Sequence, residues 1–230
     1  MDLSNKVYLI TGASGGLGRK VSKKLLEQGA YLFLSCRDKI KLEELIQDCP
    51  NQIHIFNLDL KDSLNYFFFY INEKLKYLNE RNIRLAGLFN AIGIPARNNK
   101  GAKGLIMRES LKINYEMPIE VAKFFINKAN SGNILFMSSQ HTYYKTLGKE
   151  AYWKAKEELE QDAITLSYKY PSLHINTILA GNLGLGMSEA TRSKYIKEGS
   201  LVDENIIISK CLEYLTNTKE TAKKLLIVAK

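Results

Sequence analysis

Residues 6–29 leave this chain few folds to choose from. Lys6 to Ile10 is a short apolar run of β-rich composition, and Thr11, Gly12, Ala13, Ser14, Gly15, Gly16, Leu17 and Gly18 follow it directly. A helical pattern then runs through Val21, Leu25 and Leu26 to Gly29. Strand, glycine-rich turn and helix in that order make the first unit of a dinucleotide-binding βα fold. Gly12 allows the tight turn, Gly16 lets backbone approach a pyrophosphate, and Gly18 permits close packing of helix on strand. The helix start offers free N–H groups to phosphates, so Gly12, Ser14, Gly15, Gly16, Leu17 and Gly18 are candidate cofactor contacts.

The pattern continues to the end. Strand signals at Ala30–Ser35, Ile53–Phe56, Leu85–Phe89, Asn133–Met137, His174–Leu179 and Leu225–Val228 alternate with helical stretches, one of them predicted from Gly104 to Ala129 and another from Glu150 to Lys169. Such alternation predicts an α/β protein with a Rossmann-type doubly wound parallel sheet of about seven strands, in a single domain covering 1–230. A hydrophobic content of 45% and charged content of 25% suit a soluble globular domain. With no apolar leader and no run of 18 apolar residues, neither a signal peptide nor a membrane span is expected, and the cytoplasm is the expected location. Cys36, Cys49 and Cys211 are too few and scattered for a disulfide framework or a zinc site, so no metal is expected. The formal charge of +9 is carried mostly by lysines spread along helical faces, which argues against a nucleic-acid partner. An anionic cofactor or acidic partner is the more economical explanation.

In a doubly wound sheet, chemistry gathers at the carboxyl ends of the strands. The second strand ends at Cys36, Arg37 and Asp38. A carboxylate at the strand end would favour an adenosine ribose, whereas Arg37 suits a 2′-phosphate, so NADP(H) is expected over NAD(H). Asp38 stands where it can cap the next helix. The third strand leads to Asp59 and Leu60, the fourth to Asn90, Ala91, Ile92 and Gly93, the fifth to Ser138 and Ser139, and the sixth to Ala180 and Gly181. Asn114 falls inside a long helical pattern, where it is either a solvated polar residue or a buried amide that must be bonded. Tyr152 and Lys156 lie four apart on one helical face, where a lysine cation lowers the phenol's pKa and makes it a usable acid or base. Tyr70 and Lys74 share that spacing, but they sit mid-helix among Phe67, Phe68 and Phe69 and follow no strand end, which reads as packing and surface.

Taken together, Thr11-Gly12-x-x-x-Gly16-x-Gly18, Asp59, Asn90-Ala91-Ile92-Gly93, Asn114, Ser139 and Tyr152-x-x-x-Lys156 resemble the short-chain dehydrogenase/reductase family in its compact form, over nearly the whole length. The resemblance implies a mechanism. Tyr152 would exchange a proton with a carbonyl or alcohol oxygen, and Lys156 would lower the phenol's pKa and hold the nicotinamide ribose. Ser139 would hydrogen-bond the substrate oxygen, and Asn114 would hold a water linking Lys156 to solvent. Asp59 and the Leu60 backbone would meet the adenine, with Asn90, Ala91, Gly93 and Gly181 along the cleft. The implied function is hydride transfer between NADP(H) and a small carbonyl or alcohol substrate, as in a 3-oxoacyl-carrier-protein reductase or another ketone reductase.

Some positions depart from the family pattern. Ala91 and Ile92 stand in the middle of the motif after the fourth strand, Ala180 replaces a usual proline, and Leu185 stands near a usual threonine. The end at Lys230, without a glycine-rich tail, argues for a homodimer through the Asn114 and Tyr152 helices rather than a tetramer. Loops 94–103, 140–149 and 181–199 are expected to form the substrate site, with the polar 187–199 stretch as a lid. Lys103, Arg108, Arg192, Lys194 and Lys197 flank its mouth, where they could attract a carrier-protein-bound or phosphorylated substrate. The competing reading is a non-catalytic NAD(P)-binding regulator or assembly protein of the same fold. A sugar-nucleotide epimerase fits poorly, because the chain leaves no room for a second substrate domain.

Overall fold

The computed structural model describes residues 1–94, 103–185 and 188–229. The elements run β1 (Lys6–Thr11), α1 (Gly16–Leu26), β2 (Tyr31–Cys36), α2 (Glu43–Asp48), β3 (Ile53–Asn57), α3 (Leu60–Asn79) and β4 (Arg84–Asn90). They continue with α4 (Lys103–Leu111), α5 (Met117–Lys128), β5 (Gly132–Ser139), α6 (Gln140–Tyr144), α7 (Glu150–Lys169) and β6 (Leu173–Ala180). The last are β7 (Asn182–Leu183), α8 (Glu189–Lys197), β8 (Leu201–Val202), α9 (Glu204–Thr216) and β9 (Lys224–Ile227). Seven strands form one parallel sheet in the order β3-β2-β1-β4-β5-β6-β9, so the chain winds outward from β1 in both directions. β7 and β8 form a separate two-stranded ribbon beside the site.

Each central strand is apolar at consecutive positions because both sheet faces are covered. Val7, Leu9, Leu88, Ile134 and Phe136 point into the core under α3, α5 and α7. Their pleat neighbours Tyr8, Ile10, Phe89, Leu135 and Met137 point into the core under α1 and α9. The phenylalanines of α3 divide by face. Phe67 is fully buried and packs edge-on against Phe56 at 5.3 Å, Phe68 stacks on Phe124 at 4.4 Å, and Phe69 is exposed. Tyr70 is 52% exposed on the outer face of α3, far from any strand end, as the sequence suggested.

Two local features differ from expectation. The helix predicted over 104–129 is interrupted by a π-helical turn at Lys112–Glu116, where the Met117 N–H reaches back to Lys112 O. Pro118 follows at the start of α5 and has no N–H, so the α-helical donor to the Asn114 carbonyl is missing. Asp38 caps only a short 3₁₀ turn, Ile40–Leu42, accepting from the Ile40 N–H at 3.2 Å before the brief α2. Most of the 94–103 loop and residues 186–187 of the 181–199 loop lie outside the described residues. Of Lys103 only its place at the start of α4 is described. No described helix is long and apolar enough to cross a membrane.

Candidate active site

The glycine loop opens the site. Gly12 has φ +69°, and a Cβ there would lie 2.9 Å from the Ala91 carbonyl oxygen, so the first turn passes hard against the β4 end. Ala13 donates its N–H to Ser35 O and Ala91 donates to Thr11 O, which ties the loop to both neighbouring strand ends. Gly15 stands at the N-cap of α1, while Gly16, Leu17 and Gly18 form its first turn with no side-chain cap, leaving early N–H groups available to an anion. The turn that only glycine tolerates and the uncapped helix start fit a pyrophosphate.

Two adjoining hollows share this loop. One, of about 220 Å³, is bordered by Ser14, Arg37, Lys41, Asp59 and Leu60. The other, of about 310 Å³, is bordered by Gly16, Ser139, Tyr152, Lys156, Gly181 and Leu185. Gly12, Gly15 and Ala91 to Ile94 border both, so the two make one elongated groove across the carboxyl edge of the sheet. A larger hollow of about 550 Å³ opens at the opposite edge, between α3, Arg84 and Asn130, where Glu73 and Lys76 are exposed and pair with each other at 2.6 Å. Chemistry, not size, locates the site.

Ser139 ends β5 and caps α6, accepting weakly from the His141 N–H at 3.3 Å. Tyr152 and Lys156 stand on successive turns of α7, and all three border the second hollow. Burial pushes the Tyr152 phenol above its ordinary range, and a hydrogen bond with Ser139 offsets only part of that rise. The lowering expected from Lys156 is therefore not the dominant influence here. The Lys156 ammonium, 3% exposed, donates to the Met137 carbonyl at 2.8 Å. Burial drives its own pKa down to about 8, against an opposing pull from Glu160.

Asn114 resolves the choice left open by the sequence. It is fully buried in the π turn, its Oδ1 accepts from the Ile94 N–H at 3.0 Å, and its Nδ2 donates to Ser110 Oγ at 3.0 Å. A Cβ on Gly93 would lie 2.9 Å from Asn114 Oδ1 and 3.5 Å from Lys156 Nζ, so amide and ammonium converge on that glycine. Asn90 is placed differently from expectation. Its Oδ1 accepts from Thr11 Oγ1 at 2.6 Å and its Nδ2 donates to Pro118 O at 2.8 Å, beneath the groove, where it clips β1 to α5. Asp59 caps α3 through the Lys61 N–H at 3.0 Å while still bordering the first hollow.

Three groups escaped sequence reasoning. Lys41 stands beside Arg37 on the first hollow and pairs with Asp38 at 3.4 Å. Glu160, nearly fully buried, accepts from Ser138 Oγ at 2.5 Å and pairs with Lys224 Nζ of β9 at 2.5 Å. Its spacing was a signal: Tyr152, Lys156 and Glu160 recur every four residues on one face. His141 packs its ring against that of Tyr152, with centroids 6.1 Å apart.

A family model described as short chain dehydrogenase matches residues 6–195, most of the chain. This chain belongs to that family. The dehydrogenase is 25% identical over 202 residues to the uncharacterized oxidoreductase DltE of Bacillus subtilis (strain 168), covering 84% of this chain and 78% of that protein. It is 23% identical over 202 residues to dehydrogenase/reductase SDR family member 7B of Danio rerio, covering 81% of this chain and 64% of the relative. Among solved structures, ElxO with NADP bound superposes with a TM-score of 0.80 at 18% identity, covering 97% of each chain. A short-chain type dehydrogenase/reductase from Mycobacterium ulcerans gives 0.81 at 15% identity, over 98% of this chain and 89% of that one. These likenesses confirm the doubly wound fold, and the family makes the dehydrogenase an oxidoreductase that acts between CH–OH and C=O groups.

Proposed function

We propose that this dehydrogenase uses NADP(H) in preference to NAD(H) to interconvert a ketone or aldehyde and the corresponding alcohol. The observation that carries this reading is the single groove that has the glycine loop and Arg37 at one end and Ser139, Tyr152 and Lys156 at the other. The cofactor supplies or accepts the hydride. This chain's residues hold the proton and the charge. Tyr152 gives its phenolic proton to the carbonyl oxygen in reduction and takes it back in oxidation. Ser139 donates a hydrogen bond to the same oxygen, where negative charge develops. Lys156 places a cation behind the phenol, and the Met137 carbonyl fixes where that cation stands. Arg37, with Lys41 beside it, favours the cofactor bearing a 2′-phosphate. That ElxO has been solved with NADP bound supports the preference. A narrower version, reduction of a 3-oxoacyl group on a carrier protein, draws support only from basic residues such as Arg108 and Arg192.

Two experiments test this together. Tyr152→Phe should lower turnover of any carbonyl substrate by more than about a hundredfold, the usual scale of a general acid, while cofactor still binds. Undiminished turnover would remove Tyr152 from the chemistry. Fluorescence titration should show NADPH binding more tightly than NADH, and Arg37→Ala should narrow that gap. Equal affinities in the unaltered protein would overturn the NADP(H) preference. Cofactor binding without turnover of any carbonyl compound would favour the non-catalytic reading that Ala180 and Leu185 suggest.

A further inference from the structure

The segment between β5 and α7 carries a second cluster of functional groups beside Tyr152. The Lys149 Nζ lies 2.9 Å from His141 Nε2, and His141 Nδ1 lies 2.9 Å from Thr146 Oγ1. An ammonium can only donate, so Nε2 accepts and the imidazole proton sits on Nδ1, donating to Thr146. The ring is therefore neutral, and burial together with Lys149 pushes its pKa down to about 4, so it stays neutral in ordinary buffers. Lys149 is half-buried, and burial lowers its own pKa.

A cation partly withdrawn from water normally has a counter-charge. Among the described residues Lys149 has only a neutral acceptor. Among the described residues no carboxylate lies within ion-pair distance of its Nζ. Glu157 pairs instead with Lys145, and the Glu150 carboxylate accepts from the Gly148 N–H. The cation is also fixed in place. Its residue ends the loop that enters α7, where its carbonyl accepts from the Tyr152 and Trp153 N–H groups. His141 stands two residues beyond Ser139 and separates the ammonium from the Tyr152 ring by one imidazole.

We propose that Lys149, held by His141, binds an anionic group, a carboxylate or a phosphate, on the substrate that reacts at Tyr152. The substrate class is then an oxo acid, a hydroxy acid or a phosphorylated ketone or alcohol, with the anion a few bonds from the reacting carbon. This inference rests on the reading of Tyr152 as the proton-exchanging group. His141 is a positioning residue: it contributes an acceptor that aims the ammonium and no charge of its own.

The test has one readout that needs no turnover. Trp153 is the sole tryptophan of the chain, and its backbone N–H bonds the Lys149 carbonyl. Titrating the NADP⁺-loaded protein with acetate or with inorganic phosphate, at constant ionic strength in chloride, should change Trp153 fluorescence saturably. Lys149→Met should weaken that response at least tenfold. His141→Phe should weaken it too, whereas His141→Gln, which keeps an acceptor for Lys149, should restore it. A response to acetate alone assigns a carboxylate, and one to phosphate alone assigns a phosphate. No saturable response to either, or an equal response in Lys149→Met, overturns the proposal. A kinetic arm compares an oxo acid with its methyl ester: the ratio of kcat/KM, acid over ester, should fall at least tenfold in Lys149→Met. Failure of the underlying reading is distinguishable, because Tyr152→Phe would then leave turnover intact while Trp153 still reports anion binding.

Discussion

Lys156 carries a cost that can be measured. Its ammonium is almost wholly buried, and its pKa falls from 10.5 to about 8, chiefly through burial. At about 1.4 kcal/mol per pH unit, that fall represents roughly 3 kcal/mol by which the folded state disfavours the charged form. Lys156→Met keeps the length of the side chain and removes the charge. It also removes the hydrogen bond to the Met137 carbonyl, a loss of about 1 kcal/mol. The variant should therefore be about 2 kcal/mol more stable at pH 7, raising Tm by roughly 5 °C for a domain of this size. The sign reverses the usual lysine case. Because the folded pKa is depressed, the penalty is fully present below pH 8, and the unaltered protein gains stability as pH rises from 8 towards 10.5, where only its unfolded form still holds the proton. The difference between the two proteins should thus shrink by about 2 kcal/mol between pH 7 and pH 10. Paired urea unfolding curves at those two pH values measure it directly. A variant no more stable at pH 7, or a difference that does not change with pH, would refute the reasoning.

The other groups around Lys156 give two further expectations. Glu160→Gln removes the partner of Lys224, whose side chain is 37% exposed and can reach water. The loss should fall at or below the lower end of the range for a broken buried pair, about 2–3 kcal/mol by urea unfolding. Adding Lys224→Met should recover part of it, and a strictly additive double variant would show that the two groups do not interact. Gly93→Ala places a Cβ 2.9 Å from Asn114 Oδ1 and 3.5 Å from Lys156 Nζ. It should lower kcat/KM at least tenfold, the scale of a misplaced catalytic group, with a stability loss of about 1–2 kcal/mol; unchanged kinetics would show that neither group needs its present place.

The fold was legible because its signals are local. Val7 to Ile10 and the glycines that follow fix a strand, a turn and a helix within two dozen residues, and the apolar strands repeat that unit. Much of the site could be read for the same reason, since Ser139, Tyr152 and Lys156 each follow a strand end or share one helical turn pattern. What stayed hidden depends on residues distant in sequence. Glu160 and Lys224 are 64 positions apart and meet only because β9 is laid beside β6. Asn90 reads as a groove residue until Pro118 O and Thr11 Oγ1 are found on its amide. The π turn gave one hint, Pro118 in the middle of the stretch read as one helix, where a proline signals a kink or break without saying which turn gives way. The desolvation of Tyr152, which outweighs any lowering of its pKa by Lys156, cannot be inferred from a spacing of four.

The π turn makes this part of the chain sensitive to length in a way composition does not show. It holds one residue more than an α-helix would use between the same two ends. Deleting any single residue between Ser110 and Met117 would let ordinary helix close the gap. The helices on either side would keep their phase, and what would be lost is the bulge that places the Asn114 amide against the Ile94 N–H. The Asn114 amide could not keep both Ser110 and the Ile94 N–H, and the backbone beside Gly93 would lose the side chain that holds it. Substitutions here can be conservative or not, and the architecture absorbs many of them. A one-residue deletion removes the bulge itself, and no side chain can put it back.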